Sequence, residues 1–180
     1  MRAAPGIGII SSASLMSDDQ DEIDWEFSGN DFHMGGSGNV QTNYFGKGIE
    51  GNYDRGTYPS VSSPQTQFHN YALDWSTEQL VWSIDGKVVR TLANNNATSG
   101  SYQYPQSPMQ LQLGLWDGGD PDNDPGTIDW AGGITNFSQA PFTMYVASVK
   151  MMNANPCSGG YQYTDMSGSY QSIECVSMSI

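Results

Sequence analysis

Apolar positions recur at every second residue along most of this chain, and no stretch of useful length carries the three-and-four spacing of an amphipathic helix. Alternation of this kind sends successive side chains to opposite faces of a strand. It predicts strands over Gly8 to Ser12, Glu22 to Phe27, Val40 to Phe45, Gln67 to Trp75 and Phe142 to Lys150. In "MQLQLGLW", Met109, Leu111, Leu113 and Leu115 take one face, leaving Gln110, Gln112, Gly114 and Trp116 on the other, which is polar with one large ring. In "QLVWSIDGKVVRTL" two strand-like runs flank Asp85-Gly86, a dipeptide favoured in tight hairpin turns. Loops rich in Gly, Pro and Asn separate these runs, so the pattern predicts an all-β antiparallel sandwich or barrel.

At 180 residues and 19.6 kDa the chain suits one domain with a sizeable core. We divide it into a strand-rich domain over residues 1–155 and a C-terminal segment over 156–180 that holds both cysteines, Cys157 and Cys175. Oxidised, they would close a loop contributing about 3 kcal/mol. Two buried thiols are the alternative, but the intervening "SGGYQYTDMSGSYQSIE" is too polar and Gly-rich to fold unaided, which favours the disulfide and an oxidising compartment. Two glycosylation acceptors, Asn96 and Asn136, agree with secretion, although such triplets arise by chance in a Ser/Asn-rich chain. The opening "MRAAPGIGIISSASLM" reads as a strand rather than a leader, because Pro5, Gly6 and Gly8 interrupt it. No run approaches a transmembrane span. A secreted protein opening this way is expected to lack its true beginning here.

The charge balance narrows the partners. Nineteen acidic against six basic residues give a net charge of −13, which opposes nucleic acid and anionic membrane surfaces. Neutral polymers such as sugars remain, and the 12% aromatic content offers flat apolar faces for pyranose rings.

The acid is concentrated in "DEIDWEFSGND", where Glu22, Asp24 and Glu26 share one face of a strand and Ile23, Trp25 and Phe27 the other. The apolar face anchors and the acidic face is displayed. Stacked like charges repel, and partial desolvation raises the pKa of at least one of them. The outer pair has Cα atoms about 13 Å apart, close enough for leaning carboxyls to approach the roughly 5 Å spacing of retaining glycosidases. An acidic edge strand that deters aggregation is the bland alternative, which the flanking Trp25 and Phe27 oppose. Calcium is the other; three acids on one straight strand surround an ion poorly. The loop "DGGDPDNDPG" also tempts towards calcium through Asp120, Asp122 and Asp124, but Pro125 and Ala131 occupy the sixth and twelfth positions of that reading and it fails. No metal or cofactor is implied.

The motif "DEIDWEF" resembles the E-x-D-x-E signature of glycoside hydrolase family 16. With "VQTNYFGKG", "FHNYALDWSTEQLVWSIDGKVVRTL", "PMQLQLGLWDGGDPDNDPGTIDWAGG" and "APFTMYVASVKMMN", the chain is similar over nearly its whole length to the fungal cell-wall Crh transglycosylases. The resemblance implies a β-jelly-roll of two curved sheets, a glycan cleft on the concave side and a retaining mechanism with Glu22 as nucleophile, Glu26 as acid/base and Asp24 assisting. It implies a polysaccharide substrate, chitin as donor with β-glucan or chitin as acceptor, acted on by an extracellular monomer in the fungal wall. The family's preceding strands, its tail and its lipid-anchor signal have no counterpart here, so membrane attachment is not encoded in this chain.

Weaker candidates for sugar contact are Trp116 by ring stacking, Gln41 and Asn43 by shared face, Lys47 and Arg55 from a loop, and His69 by the family pattern. Each has an ordinary structural reading beside it. Trp75 and Trp82 are assigned to the core. Three functions are carried forward: a transglycosylase, a β-glycan hydrolase on the same scaffold, and an inactive glycan-binding jelly roll, against which the intact E-x-D-x-E counts.

Overall fold

The computed structural model describes residues 1–30, 38–97 and 99–178. Its strands are β1 (Ile9–Ser17), β2 (Glu22–Ser28), β3 (Gln41–Phe45), β4 (Tyr71–Trp75), β5 (Gln79–Ile84), β6 (Lys87–Ala93), β7 (Met109–Asp117), β8 (Tyr161–Tyr163) and β9 (Ile173–Cys175), with a short helix α1 (Pro125–Trp130). Antiparallel pairing gives a four-stranded sheet in the order β3-β2-β1-β7, a three-stranded sheet β4-β5-β6, and a β8-β9 ribbon.

The alternation read in β2 drives the stacking of the two larger sheets. Ile23, Trp25 and Phe27 point inward and are buried with Tyr44 of β3 against Leu80, Trp82 and Ile84 of β5. Burying each such large side chain stabilises by about 1.5–3 kcal/mol. The polar end of one core ring also finds a partner: Trp82 Nε1 donates to the Asp24 carbonyl oxygen at 3.2 Å, tying the second sheet to the backbone of the acidic strand. At the β3 margin Arg90 spans both sheets, its guanidinium 4.5 Å from the Trp82 ring centre while donating to the carbonyls of Thr42 and Arg55, each at 2.7 Å.

The Asp85-Gly86 turn forms as the dipeptide predicts, with φ of 50° and 80°. Strand β4 begins at Tyr71 rather than Gln67, because the His69 amide is spent on the Met1 carbonyl and the Asn70 amide on the Asp85 carboxylate. The strand expected over Phe142–Lys150 is not one. Only Tyr145 makes a bridge, to Arg2, and the rest has no ladder among the described residues. Alternation fixes which side chains want burial; it does not supply a neighbouring strand. Helix α1 was invisible to periodicity because six residues do not complete two turns.

Cys157 and Cys175 form a disulfide with Cα atoms 5.4 Å apart, beside the β8-β9 ribbon. The segment containing them is fastened to the main sheet by one buried ionic knot. Lys47 Nζ pairs with Asp19 at 2.9 Å and Asp21 at 2.8 Å, and donates to Ser107 Oγ at 3.1 Å and the Gly168 carbonyl at 2.9 Å. Asp21, fully buried, also accepts from the backbone N–H groups of Lys47, Gln106 and Ser107. Position 168 requires glycine twice over: its φ is 60°, and a Cβ there would lie 2.0 Å from Asp19 Oδ2.

Removing the cation leaves a buried carboxylate without its counter-charge, a loss on the order of 3 kcal/mol. Lys47→Met is therefore expected to lower the urea midpoint strongly, whereas Lys87→Met, at an exposed position, leaves it within error.

Candidate active site

Residues paired across antiparallel strands share a face, so the register of the larger sheet lays out the surface around the triplet. One row reads Gln41, Glu26, Ser12, Gly114; the next Asn43, Asp24, Ser14, Gln112; the third Phe45, Glu22, Met16, Gln110. All belong to the face turned away from β5. The residues of β1 and β7 beside Glu26 are small, and a Cβ on Gly114 would come within 2.5 Å of Ser12 Oγ. Serine and glycine therefore keep the floor low next to the carboxyls.

Asp24 and Glu26 are both withdrawn from water and both perturbed by it. Asp24 is 1% exposed, and neither carboxyl oxygen has a hydrogen bond of regular geometry; Ser14 and Glu22 are the polar side chains that perturb it from nearest at hand. Burial, and then the charges of Glu22 and Glu26, hold its pKa well above the usual carboxylate range. Burial also pushes Glu26 up, to about 7, with the Glu22 charge adding to the effect. These mutual perturbations mean that the carboxyls lie within one another's field. A Glu26 poised near 7 can both give and take a proton at that pH.

Gln41 and Asn43 lie beside the acids, where the shared-face reading put them. Gln41 Nε2 donates to Tyr58 Oη at 2.9 Å, and Asn43 Oδ1 accepts from the Tyr44 amide at 3.0 Å. Trp116 is 39% exposed on the same face and stacks on Trp130 of α1, with centroids 5.9 Å apart and planes 20° from parallel. Trp130 and Tyr58 both sit outside strands, where alternation carries no information about them.

Lys47, Arg55 and His69, expected to contact substrate, do not face the triplet. Lys47 is consumed by Asp19 and Asp21. Arg55 is buried against the Phe45 ring at 4.4 Å, donating to the backbone carbonyls of Ile49, Glu50 and Ser101. His69 belongs to the β4-β5 end, where Nδ1 meets Asp85 Oδ2 at 2.7 Å and Nε2 donates to the Ser62 carbonyl at 2.8 Å. In each case nearby oxygens in the fold absorb the cation or imidazole, a competition that a one-dimensional pattern cannot display. Trp82 is fully buried, and Trp75 is half-buried with Nε1 donating to the Pro105 carbonyl at 3.0 Å. Asn96 and Asn136 are exposed; Asn136 caps a short turn by accepting from Ser138, and Thr98 of the Asn96 triplet lies outside the described residues.

Residues 1–132 match the model of Glycosyl hydrolases family 16. Among curated proteins, Crh-like protein 5 of Aspergillus fumigatus is 56% identical over 174 residues, which is 97% of this chain and 42% of that protein. Congo red hypersensitive protein 1 of Saccharomyces cerevisiae is 48% identical, over 97% of this chain and 32% of its own length. The chain thus spans less than half the length of these relatives. Among solved structures, a Crh5 transglycosylase in complex with NAG superposes with a TM-score of 0.90 at 55% identity, over 97% of this chain and 70% of that one. A Bacillus licheniformis beta-glucanase superposes at 0.58 with 27% identity, over 78% and 57%. The β-sandwich is therefore of the jelly-roll kind shared by these glucanases.

The proton affinity of Glu26 makes stability depend on pH. Its pKa is higher folded than unfolded, so its contribution is fully present below the ordinary glutamate value of 4.5 and is lost as pH rises through about 7. Glu26→Gln is expected to flatten this loss, raising Tm relative to the parent more at pH 8 than at pH 5. Glu22→Gln, by removing the nearby charge, is expected to lower the Glu26 pKa, which carboxyl carbon NMR reads directly.

Proposed function

Because the chain belongs to glycosyl hydrolase family 16, we propose that it is the catalytic part of a retaining cell-wall transglycosylase that cleaves a chitin chain and joins it to β-glucan or chitin. The observation that carries this reading is the set of three carboxyls on one face of one strand, two of them withdrawn from water, with Glu26 pushed up to about 7 beside Glu22. A glycan-binding protein without chemistry gains nothing from desolvating two carboxyls side by side.

In the first step Glu26 gives its proton to the glycosidic oxygen as Glu22 attacks the anomeric carbon. The bond to the leaving sugar breaks, and a glycosyl ester on Glu22 forms. Glu26, now a carboxylate, takes the proton of an incoming hydroxyl; that oxygen attacks the same carbon and frees Glu22. Asp24 lies between them with Glu22 as a hydrogen-bonding neighbour, and so can help fix its orientation. Gln41 and Asn43 are placed to meet sugar hydroxyls, and the Trp116–Trp130 pair offers a stacking surface at the far side of the sheet. With a sugar hydroxyl as the second nucleophile two polymers are joined; with water the same site is a hydrolase, the second reading, which the likeness to a beta-glucanase keeps alive. The extent of likeness to a Crh5 transglycosylase favours transfer. The place of action on this reading is extracellular, in a fungal wall.

Mixing chitin oligosaccharides with a fluorescently labelled β-1,3-glucan oligomer is expected to yield longer labelled hybrids. Short chitin fragments alone would support hydrolysis, and binding without turnover an inactive protein. Glu22→Gln is expected to abolish turnover while glycan binding persists; an active variant would remove the nucleophile assignment. Since the first step needs Glu26 protonated, kcat/KM should fall as pH rises above about 7.

A further inference from the structure

Away from the triplet, a hollow of about 710 Å³ opens between two stretches of chain. Gln103 and Gln106 line one side, and Thr164, Asp165, Gln171 and Ser172 line the other. Every lining side chain carries a hydroxyl, an amide or a carboxylate, and none is cationic. The walls are held apart by fixed contacts: Lys47 Nζ donates to the Gly168 carbonyl at 2.9 Å, the Tyr170 amide to Gln106 Oε1 at 3.0 Å, and the Cys157–Cys175 bond closes the segment behind.

The lining decides the ligand class. An anion finds no cationic side chain there, in a chain of net charge −13. A cation finds one carboxylate, Asp165, already accepting from the N–H and hydroxyl of Ser167. Neutral, hydroxyl-rich molecules suit it better, because amides offer donors and acceptors together. Among the described residues Gln171 commits its amide oxygen to Ser169 and Gln103 its amide nitrogen to the Gly100 carbonyl, leaving a free nitrogen on the first and a free oxygen on the second.

Position links the hollow to the chemistry. The Gln106 amide donates to Asp21 Oδ2 at 2.7 Å, and Asp21 immediately precedes Glu22. Gln103 packs against Gly46, the residue after Phe45, which is paired with Glu22. We propose that this hollow is a second binding site for a neutral β-linked glycan, holding the acceptor polymer next to the strand end that carries Glu22. The proposal rests on the transfer reading above. A tethered polymer presents its hydroxyls at high effective concentration, which favours them over water as the second nucleophile.

The test uses the Glu22→Gln chain, in which binding is read without turnover. Laminari-oligosaccharides and chito-oligosaccharides are titrated separately by calorimetry and located by amide NMR shifts. Two sites per chain are expected with at least one of these classes, and the class that fills the second site identifies the polymer held there. Gln171→Ala should weaken that site about fivefold, the loss of one neutral hydrogen bond, without moving the first. Gln171→Trp, which fills the hollow from an exposed position, should abolish it. With Glu22 intact, Gln171→Trp should lower the ratio of transfer to hydrolysis while the rate of donor cleavage stays unchanged. One site for both oligosaccharides, or a second site indifferent to both substitutions, overturns the proposal. Absence of turnover in the parent chain instead overturns the transferase reading and leaves the binding result standing.

Discussion

The molecule depends on the burial of one side of a single strand. Ile23, Trp25 and Phe27 pack β2 onto β5, and Trp82 fixes the β2 backbone from beneath by donating to the Asp24 carbonyl. That anchorage tolerates what the opposite side carries, namely Asp24 and Glu26 withdrawn from water beside Glu22. Desolvated acids cost free energy, and the apolar contacts of the same seven residues help to offset it. Local stability is thereby traded for a proton affinity near neutrality.

The neighbouring strands serve the same constraint. Ser12, Ser14 and Gly114 are too small to crowd the carboxyls, and Gln41 and Asn43 flank them without adding charge. Lys47, just past the end of β3, is diverted to Asp19 and Asp21, the latter one step before Glu22. Arg55 and Arg90 are likewise occupied by carbonyl oxygens and aromatic rings. With these three cations engaged elsewhere, burial and the Glu22 charge set the raised proton affinity of Glu26.

Much of this was legible in the sequence because strand alternation is a local rule. It assigned the faces of β2 and β7, and the Asp85-Gly86 dipeptide marked its own turn. The register that sets Ser14 opposite Asp24 is a pairing between strands and has no signature in either strand alone. Lys47, Arg55 and His69 were misplaced for a related reason: a scarce positive or imidazole side chain looks functional until its partners in space are known. Phe142–Lys150 shows the converse, an alternating run without a ladder. The order of roles between Glu22 and Glu26 came from family likeness, since two glutamates on one strand look alike in sequence and only burial in the fold sets Glu26 apart.

The stacked indoles of Trp116 and Trp130 carry an optical consequence. Two near-parallel rings 5.9 Å apart couple their electronic transitions, and the coupling depends on their distance and twist. One ring rides on the sheet and the other on the short helix of the connecting loop, so circular dichroism senses how that loop is seated. The protein thus holds a built-in chromophore pair at the margin of its acidic face, readable without any attached dye.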